Sequence, residues 1–298
     1  MRVAVSGSSG LIGSALVARL ETDGHEVRRL VRSGAGGTGR VAWDPQAGTV
    51  DRAGLEGTDA VVHLAGAGIG DRRWSEARKR AIRDSRVLGT TTLARALASL
   101  DPRPTVLVSA SGVGWYGDRG DEELTEDSAP GSGFLAEVCR DWEAATAPAA
   151  EAGIRVVCVR TGVVQSPAGG ALARQLPLFR LGLGGPLGSG RNHVSWISLD
   201  DHVGAVVHAL TTPSLRGPVN SVAPAPVTGR EYAAVLGRVL RRPAVLPVPR
   251  AAMAVPFGRE LVAELLSSQR ARPVRLEASG YAFAHRELEP ALRHVLGR

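Results

Sequence analysis

The sequence predicts an α/β fold, a doubly wound parallel sheet with a smaller, mixed C-terminal lobe. Short apolar runs alternate with amphipathic stretches through the first 165 residues. A glycine-rich turn joins the first apolar run to the first amphipathic stretch. After Gly162 the texture changes, and glycine and proline become dense between Pro167 and Gly190. Strands that alternate with helices imply parallel pairing with crossover helices on both faces.

The elements follow in order. Residues 2–7 read as a short buried strand and Leu11 to about Thr22 as its helix. Residues 26–31 are a second strand, and Asp59–Leu64 a third that closes on Ala65-Gly66. A helical pattern runs from Ser75 to Leu100 with a break within it, followed by a strand from Thr105 to Ser109. Phe134 to Ala152 reads as a helix that Pro148 must kink or shorten, and Arg155 to Arg160 as a strand. Residues 167–190 read as loops, with Gly182–Gly190 the clearest. Helices return at Asp201–Leu210, capped by Asp200 or Asp201, then near Arg230–Leu240 and Arg259–Arg270. Residues 1–165 are the expected nucleotide-binding domain, with 191–225 returning to it. Residues 166–190 and 226–298 are the expected substrate lobe.

Composition narrows the function classes. At 44% apolar and 22% charged residues the chain can bury a sizeable core and is not globally disordered. The two cysteines, Cys139 and Cys158, read as reduced thiols. No signal-peptide pattern and no long apolar run is visible, so the expectation is a cytoplasmic protein that does not enter a membrane. The formal charge is +7, but arginines are scattered without a long basic run, which argues against a nucleic-acid partner. Lys79 is the one lysine.

The turn Gly7-Ser8-Ser9-Gly10-Leu11-Ile12-Gly13 carries the chemistry. In such a turn the first glycine allows the sharp exit from the strand. The second lets backbone approach a pyrophosphate, and the third lets helix and sheet pack closely. The helix N-terminus behind it offers free N–H groups to phosphate. Placed between a strand and an amphipathic helix, the turn is a Rossmann dinucleotide signature. The second strand ends in Arg28, Arg29 and Arg32 rather than the acid that would hold a ribose 2′-hydroxyl. Arg32 lies 19 residues after Gly13, and a guanidinium there suits a 2′-phosphate, so the expected cofactor is NADP(H). The segment Leu64-Ala65-Gly66 closes the third strand, and its small residues would let the adenosine ribose approach the backbone; the alternative is simple strand-end punctuation.

These motifs extend along the chain as His63–Arg86, Ser109–Gly117, Phe134–Glu143, Arg160–Val164, Phe179–Gly190 and Trp196–Asp201. With them the chain resembles the extended short-chain dehydrogenase/reductase superfamily over essentially its full length. Within it, the chain resembles the atypical NAD(P)-dependent epimerase/dehydratase branch grouped with nucleoside-diphosphate-sugar epimerases, which ends in a small domain of unknown function. The resemblance implies cofactor contacts from Gly7, Ser9, Gly10, Leu11, Ile12, Gly13, Arg32, Leu64, Ala65 and Gly66. It adds Arg86, which stands where extended relatives carry an asparagine, and Thr161, Gly162 and Val163 near the nicotinamide. It also implies a small-molecule substrate, of sugar-nucleotide kind, and a homodimer through two long helices.

The chain departs from that superfamily at its Tyr-x-x-x-Lys pair, where Phe134 and Val138 stand. The pair's tyrosine shuttles a proton and its lysine favours the phenolate. The resemblance puts Ser111 at or one residue from the superfamily's serine position, and Tyr116 follows on the same strand-end loop, so these two are the candidate catalytic residues, with loop packing against Trp115 the alternative for Tyr116. Trp142 reads as packing and Glu143 as structural. His63 reads as a core histidine. His193 and His202 complete no ligand set, so no metal is expected. The expected activity is NADP(H)-dependent oxidoreduction or epimerisation; the alternative is a non-catalytic NADP(H)-binding sensor or interaction protein.

Overall fold

The computed structural model describes residues 1–32, 37 and 39–298. Among these residues the central sheet has eight strands in the spatial order Gly217–Ser221, Arg155–Thr161, Val106–Gly112, Ala60–His63, Arg2–Ser6, Glu26–Val31, Arg40–Asp44 and Thr49–Val50. Every neighbouring pair is parallel except the last, which is antiparallel. The chain starts at Arg2–Ser6, builds outward to one side, then crosses back and builds outward from Ala60–His63. The order therefore reverses between these two strands, which makes a crevice at their carboxyl ends.

The core follows from the period of the strands. Val3 and Val5, Ala60 and Val62, and Val106 and Val108 point to one face. They meet Leu16, Val17 and Leu20 of helix Leu11–Thr22 and Val203, Val206 and Leu210 of helix Leu199–Thr211. The intervening Ala4, Val61 and Leu107 point to the other face, onto Leu93 and Leu97 of helix Glu76–Ala98 and onto Ala149. Alternate side chains of a strand face opposite ways, so a sheet covered on both sides needs apolar residues at every position. A third cluster holds the C-terminal lobe, where helices Gly170–Arg180, Gly229–Leu240 and Leu288–Leu296 close around Trp196. Asp201 ties that lobe to the sheet: its carboxylate accepts from Ala284 N at 2.8 Å and His285 N at 3.0 Å.

Several boundaries differ from the sequence expectation. Helix Glu76–Ala98 is unbroken and starts at a Ser75 cap. The stretch from Phe134 divides into Phe134–Ala144 and Ala147–Glu151, because Pro148 sits in the first turn of a new helix where its missing N–H costs nothing. Ser198, not Asp200 or Asp201, caps helix Leu199–Thr211, its Oγ accepting from Asp201 N at 3.0 Å. The helix expected over Arg259–Arg270 ends at Leu265. The largest correction lies in residues 167–190, expected to be loops. Helix Gly170–Arg180 occupies part of them, although it contains Pro177. Leu172, Leu176 and Phe179 recur at helical spacing and are buried, and that tertiary gain outweighs the proline penalty.

Two buried histidines make stability depend on pH. His63 and His202 are 0% and 1% exposed, and burial pulls each from 6.5 down to about 4. Below pH 6.5 the unfolded chain takes up protons that the folded chain refuses. The stability tied to these rings is complete above pH 6.5 and is lost as pH falls toward 4. Urea midpoints measured across that interval are expected to drop, and to drop less in His202→Asn. An equal decline in the variant contradicts the assignment.

Candidate active site

The crevice at the sheet's reversal is built by backbone in contact with backbone. Gly7 has φ +68°, and a Cβ there would lie 2.9 Å from Leu64 C and from Ala65 N. A Cβ on Gly13 would lie 2.1 Å from Gly7 O. Both glycines are therefore demanded by the protein's own packing. Gly10 is not. Its φ is −77°, open to any residue, and the nearest atom to a Cβ there is Gly7 O at 3.4 Å. The bare surface at Gly10 faces outward at the start of helix Leu11–Thr22, whose first turn has no side-chain cap and no acidic residue. Free N–H groups with the positive end of the helix dipole beside an unfilled backbone surface fit a pyrophosphate.

The flanks of the crevice are fixed by polar contacts. Ser6 Oγ accepts from Leu64 N at 3.1 Å and Ala65 N at 3.3 Å and lies 2.6 Å from His63 Nδ1. His63 packs edge-on against Trp43, so it is a neutral core histidine. Leu11 and Ile12 are half-buried, and Ser9, Gly10 and Gly66 are exposed. Arg86 lies beneath Gly66 and donates through Nη1 to Ala67 O and Ile82 O, each at 3.0 Å. It stacks 4.9 Å over Trp142 and makes no ion pair among the described residues, and burial lowers it to about 10. Thr161, Gly162 and Val163 lie at the carboxyl end of strand Arg155–Thr161, two places from Ala60–His63 in the sheet, where Gly162 leaves no room for a side chain against Ser195 O. Arg32 is exposed at the end of the second strand, and residues 33–36 and 38 after it lie outside the described residues. Helix Gly170–Arg180 completes the rim, with Gly169 against Leu11.

The two residues singled out for catalysis are held inward. Tyr116 is 0% exposed; its hydroxyl lies 2.7 Å from Asn220 Oδ1 and 2.9 Å from Thr125 O, and it accepts from Arg160 Nη1 at 3.1 Å. Burial raises its pKa. The phenol is thus engaged by the core and does not open onto the crevice, in line with loop packing. Ser111 donates to Glu143 Oε1 at 2.7 Å. Glu143 also takes a two-pronged contact from Arg160, Nε to Oε1 at 2.8 Å and Nη2 to Oε2 at 2.9 Å. Arg160 lies 3.9 Å over Trp115. Sequence reasoning missed this pair, because nothing in spacing links Glu143 to Arg160; the signal was an arginine within an otherwise apolar strand.

Phe134 is surrounded by unexpected company. Trp74 packs edge-on against it at 4.9 Å, and Lys79 Nζ lies 5.9 Å over its ring. Glu264 Oε1 accepts from Leu135 N at 3.3 Å at the start of the same helix. The one lysine, far away in sequence, therefore reaches the neighbourhood of the missing pair. The histidines flagged by spacing go elsewhere: His193 Nε2 faces Asp121 at 3.2 Å, and His202 Nδ1 meets Ser221 Oγ at 2.8 Å. Among the described residues, Asp200, His285 and His294 bring one ligand atom each within 4.8 Å of one another.

Two substitutions separate packing from binding. Gly10→Ala is expected to leave the melting temperature nearly unchanged and to weaken dinucleotide binding, whereas Gly13→Ala destabilises the fold itself. Unchanged affinity in Gly10→Ala would show that no ligand approaches this backbone. Separately, Glu143→Gln strands the buried Arg160 charge and is expected to cost about 3–5 kcal/mol in urea unfolding. A loss well under 1 kcal/mol would show that the pair is dispensable.

Comparison with known proteins agrees with this geometry. Residues 3–221 match the NAD dependent epimerase/dehydratase family, and residues 248–295 match a domain of unknown function, DUF1731. An epimerase family protein of Mycobacterium tuberculosis is 47% identical over 296 residues, 99% of this chain and 98% of that protein. The crystal structure of human epimerase family protein SDR39U1 (isoform 2) with NADPH superposes with a TM-score of 0.93 at 37% identity, covering 100% of this chain and 99% of that one. A nucleoside-diphosphate sugar epimerase from Corynebacterium glutamicum gives 0.81 at 42% identity over 100% of this chain and 58% of that one. Among the described residues no helix is long and apolar enough to cross a membrane. The family match spans the sheet strands from Arg2–Ser6 to Gly217–Ser221 and the glycine turn, and the chain belongs to the NAD dependent epimerase/dehydratase family.

Proposed function

We propose that this protein binds NADP(H) across the crevice and exchanges a hydride with a small polar substrate of sugar-nucleotide kind. The observation that carries the reading is Gly10, the one glycine of the turn that neither backbone conformation nor packing explains. The human relative that aligns over nearly its whole length was crystallised with NADPH. In this reading Gly7, Ser9, Gly10, Leu11, Ile12 and Gly13 hold the pyrophosphate, and Arg32 holds the 2′-phosphate. Leu64, Ala65 and Gly66 flank the adenosine half, while Thr161, Gly162 and Val163 flank the nicotinamide. Arg86 works from below, holding the 66–67 backbone and adding buried positive charge. Residues 1–165 with 191–225 form the cofactor half, and 166–190 with 226–298 the substrate half. Two buried free cysteines fit a reducing, cytoplasmic setting.

Bound cofactor would supply the hydride. The proton is the harder part, since Phe134 has none to give and Tyr116 is sealed inside. Ser111 remains the polar group at the strand end, with Glu143 as the acceptor of its proton. The same features favour a second reading, in which the protein binds NADP(H) without turnover and reports its redox state or serves a partner. That reading requires different affinities for the oxidised and reduced forms, since equal affinity shifts no equilibrium. A homodimer is part of the first reading and is tested by mass in solution.

Calorimetric titration with NADPH, NADP, NADH and NAD tests the cofactor assignment. Phosphorylated forms are expected to bind at least about tenfold more tightly, a preference worth about 1.4 kcal/mol, and Arg32→Ala is expected to erase it. Equal binding of all four would remove the 2′-phosphate assignment, and binding of none would remove the proposal. Oxidation of NADPH followed at 340 nm with carbonyl and sugar-nucleotide substrates then separates enzyme from sensor.

A further inference from the structure

The segment Trp196–Asp201 ends in two adjacent acids, Asp200 and Asp201, in the first turn of helix Leu199–Thr211. Among the described residues neither meets a lysine or an arginine at ion-pair distance. Asp201 is buried and spends its carboxylate on neutral donors: Ser198 Oγ at 2.8 Å, Ala284 N at 2.8 Å and His285 N at 3.0 Å. Asp200 is exposed, and its side chain meets His294, whose Nε2 lies 2.7 Å from Oδ2. The arginines next to these histidines in sequence serve other acids. Arg286 donates to Glu277 at 2.7 Å and Arg293 to Glu289 at 2.7 Å. Two negative charges thus stand side by side with no guanidinium or ammonium paired to them.

Two histidines complete a set of donors. Asp200, His285 and His294 each bring one ligand atom within 4.8 Å of the other two. The imidazole rings lie 4.6 Å apart between centroids, tilted by 35°. Asp200 and His294 have local reasons for their places, an acid in a helix's first turn and an imidazole in the last turn of helix Leu288–Leu296. His285 has none: its half-buried ring makes no hydrogen bond and no ion pair among the described residues. Its backbone is held by Asp201, so the buried acid positions one donor while the exposed acid supplies another. His193 and His202, the histidines that spacing brought forward, are engaged elsewhere.

We propose that Asp200, His285 and His294 bind one divalent transition-metal ion of the zinc type. Two imidazoles and a carboxylate suit such an ion, whereas magnesium and calcium prefer oxygen donors throughout. The charges balance: two positive on the ion, one negative on each of Asp200 and Asp201, and two neutral imidazoles. The dipole of helix Leu199–Thr211 opposes a cation at its N-terminus, and that of helix Leu288–Leu296 favours one at its C-terminus. Donors on a tetrahedral zinc lie about 3.3–3.6 Å apart. Closing the set therefore takes side-chain shifts of about 1 Å, with the His294–Asp200 contact opening and the remaining donors drawing in. The proton held between His294 and Asp200 leaves to solvent as the ion enters, and a fourth position stays open to water. The ion would clamp the C-terminal helix onto the start of helix Leu199–Thr211. The site is separate from the glycine-turn crevice and does not rest on the dinucleotide assignment.

The test is calorimetric titration of tag-free, EDTA-treated protein with zinc chloride at neutral pH, paired with melting curves. One zinc per chain is expected to bind and to raise the melting temperature by about 2–4 °C, while magnesium does neither. His285→Ala and His294→Gln are each expected to weaken zinc at least about tenfold and to abolish the rise. His25→Ala, which alters a histidine beside the N-terminal amine, is expected to bind zinc as the wild type does. Absence of one-to-one binding at submillimolar zinc, or unchanged affinity in either His285→Ala or His294→Gln, overturns the proposal. The exposed His294 can be replaced without disturbing the core, so that arm stands even where His285→Ala folds poorly.

Discussion

The close approach of two strand ends at the sheet's reversal is the constraint on which the rest depends. Gly7 touches the Leu64–Ala65 backbone at a distance no side chain would permit, and Ser6 binds the amides of the same two residues. This contact sets the width of the crevice. It also aims the first turn of helix Leu11–Thr22, because Gly13 packs directly on Gly7. With strands Arg2–Ser6 and Ala60–His63 fixed, the helix dipole, the bare Gly10 backbone and the buried Arg86 converge on one space. A larger residue at either packing glycine would move all of them together.

A second buried polar system holds the opposite bank. Arg160 would be costly inside the sheet without a counter-charge. Glu143 supplies it through two hydrogen bonds, and Tyr116 and Trp115 close over the guanidinium. The network joins strand Arg155–Thr161 to helix Phe134–Ala144 and to the loop after strand Val106–Gly112. It therefore fixes Phe134 and Ser111 relative to the crevice. The tyrosine that sequence position suggested for chemistry is spent on this support, which leaves Ser111, hydrogen-bonded to Glu143, as the polar side chain at that strand end.

Much of the cofactor half was legible because its signals are local. A glycine turn between a strand and a helix, and apolar runs of strand length, are read within a few residues of sequence. The C-terminal lobe was less so. Helix Gly170–Arg180 begins at the second of two glycines and contains a proline, so its local preferences argue for loop; the cluster around Trp196 makes it a helix. Strand Arg40–Asp44 was missed because it is short and alternates buried with exposed residues at the sheet margin. The site's long-range features were invisible for a different reason. Lys79 and Phe134, Glu143 and Ser111, and Tyr116 and Asn220 meet only after folding, and no spacing rule connects them.

The central claim is that the crevice at the reversal of strand order holds the dinucleotide. Hydrogen exchange read by mass spectrometry, with and without saturating NADPH, tests it most directly. The account predicts slower exchange in peptides covering residues 7–14 and 64–67, since the ligand would take up the free amides at the start of helix Leu11–Thr22 and close the 64–67 backbone from water. Unchanged exchange there, with protection appearing elsewhere on the molecule, would contradict it.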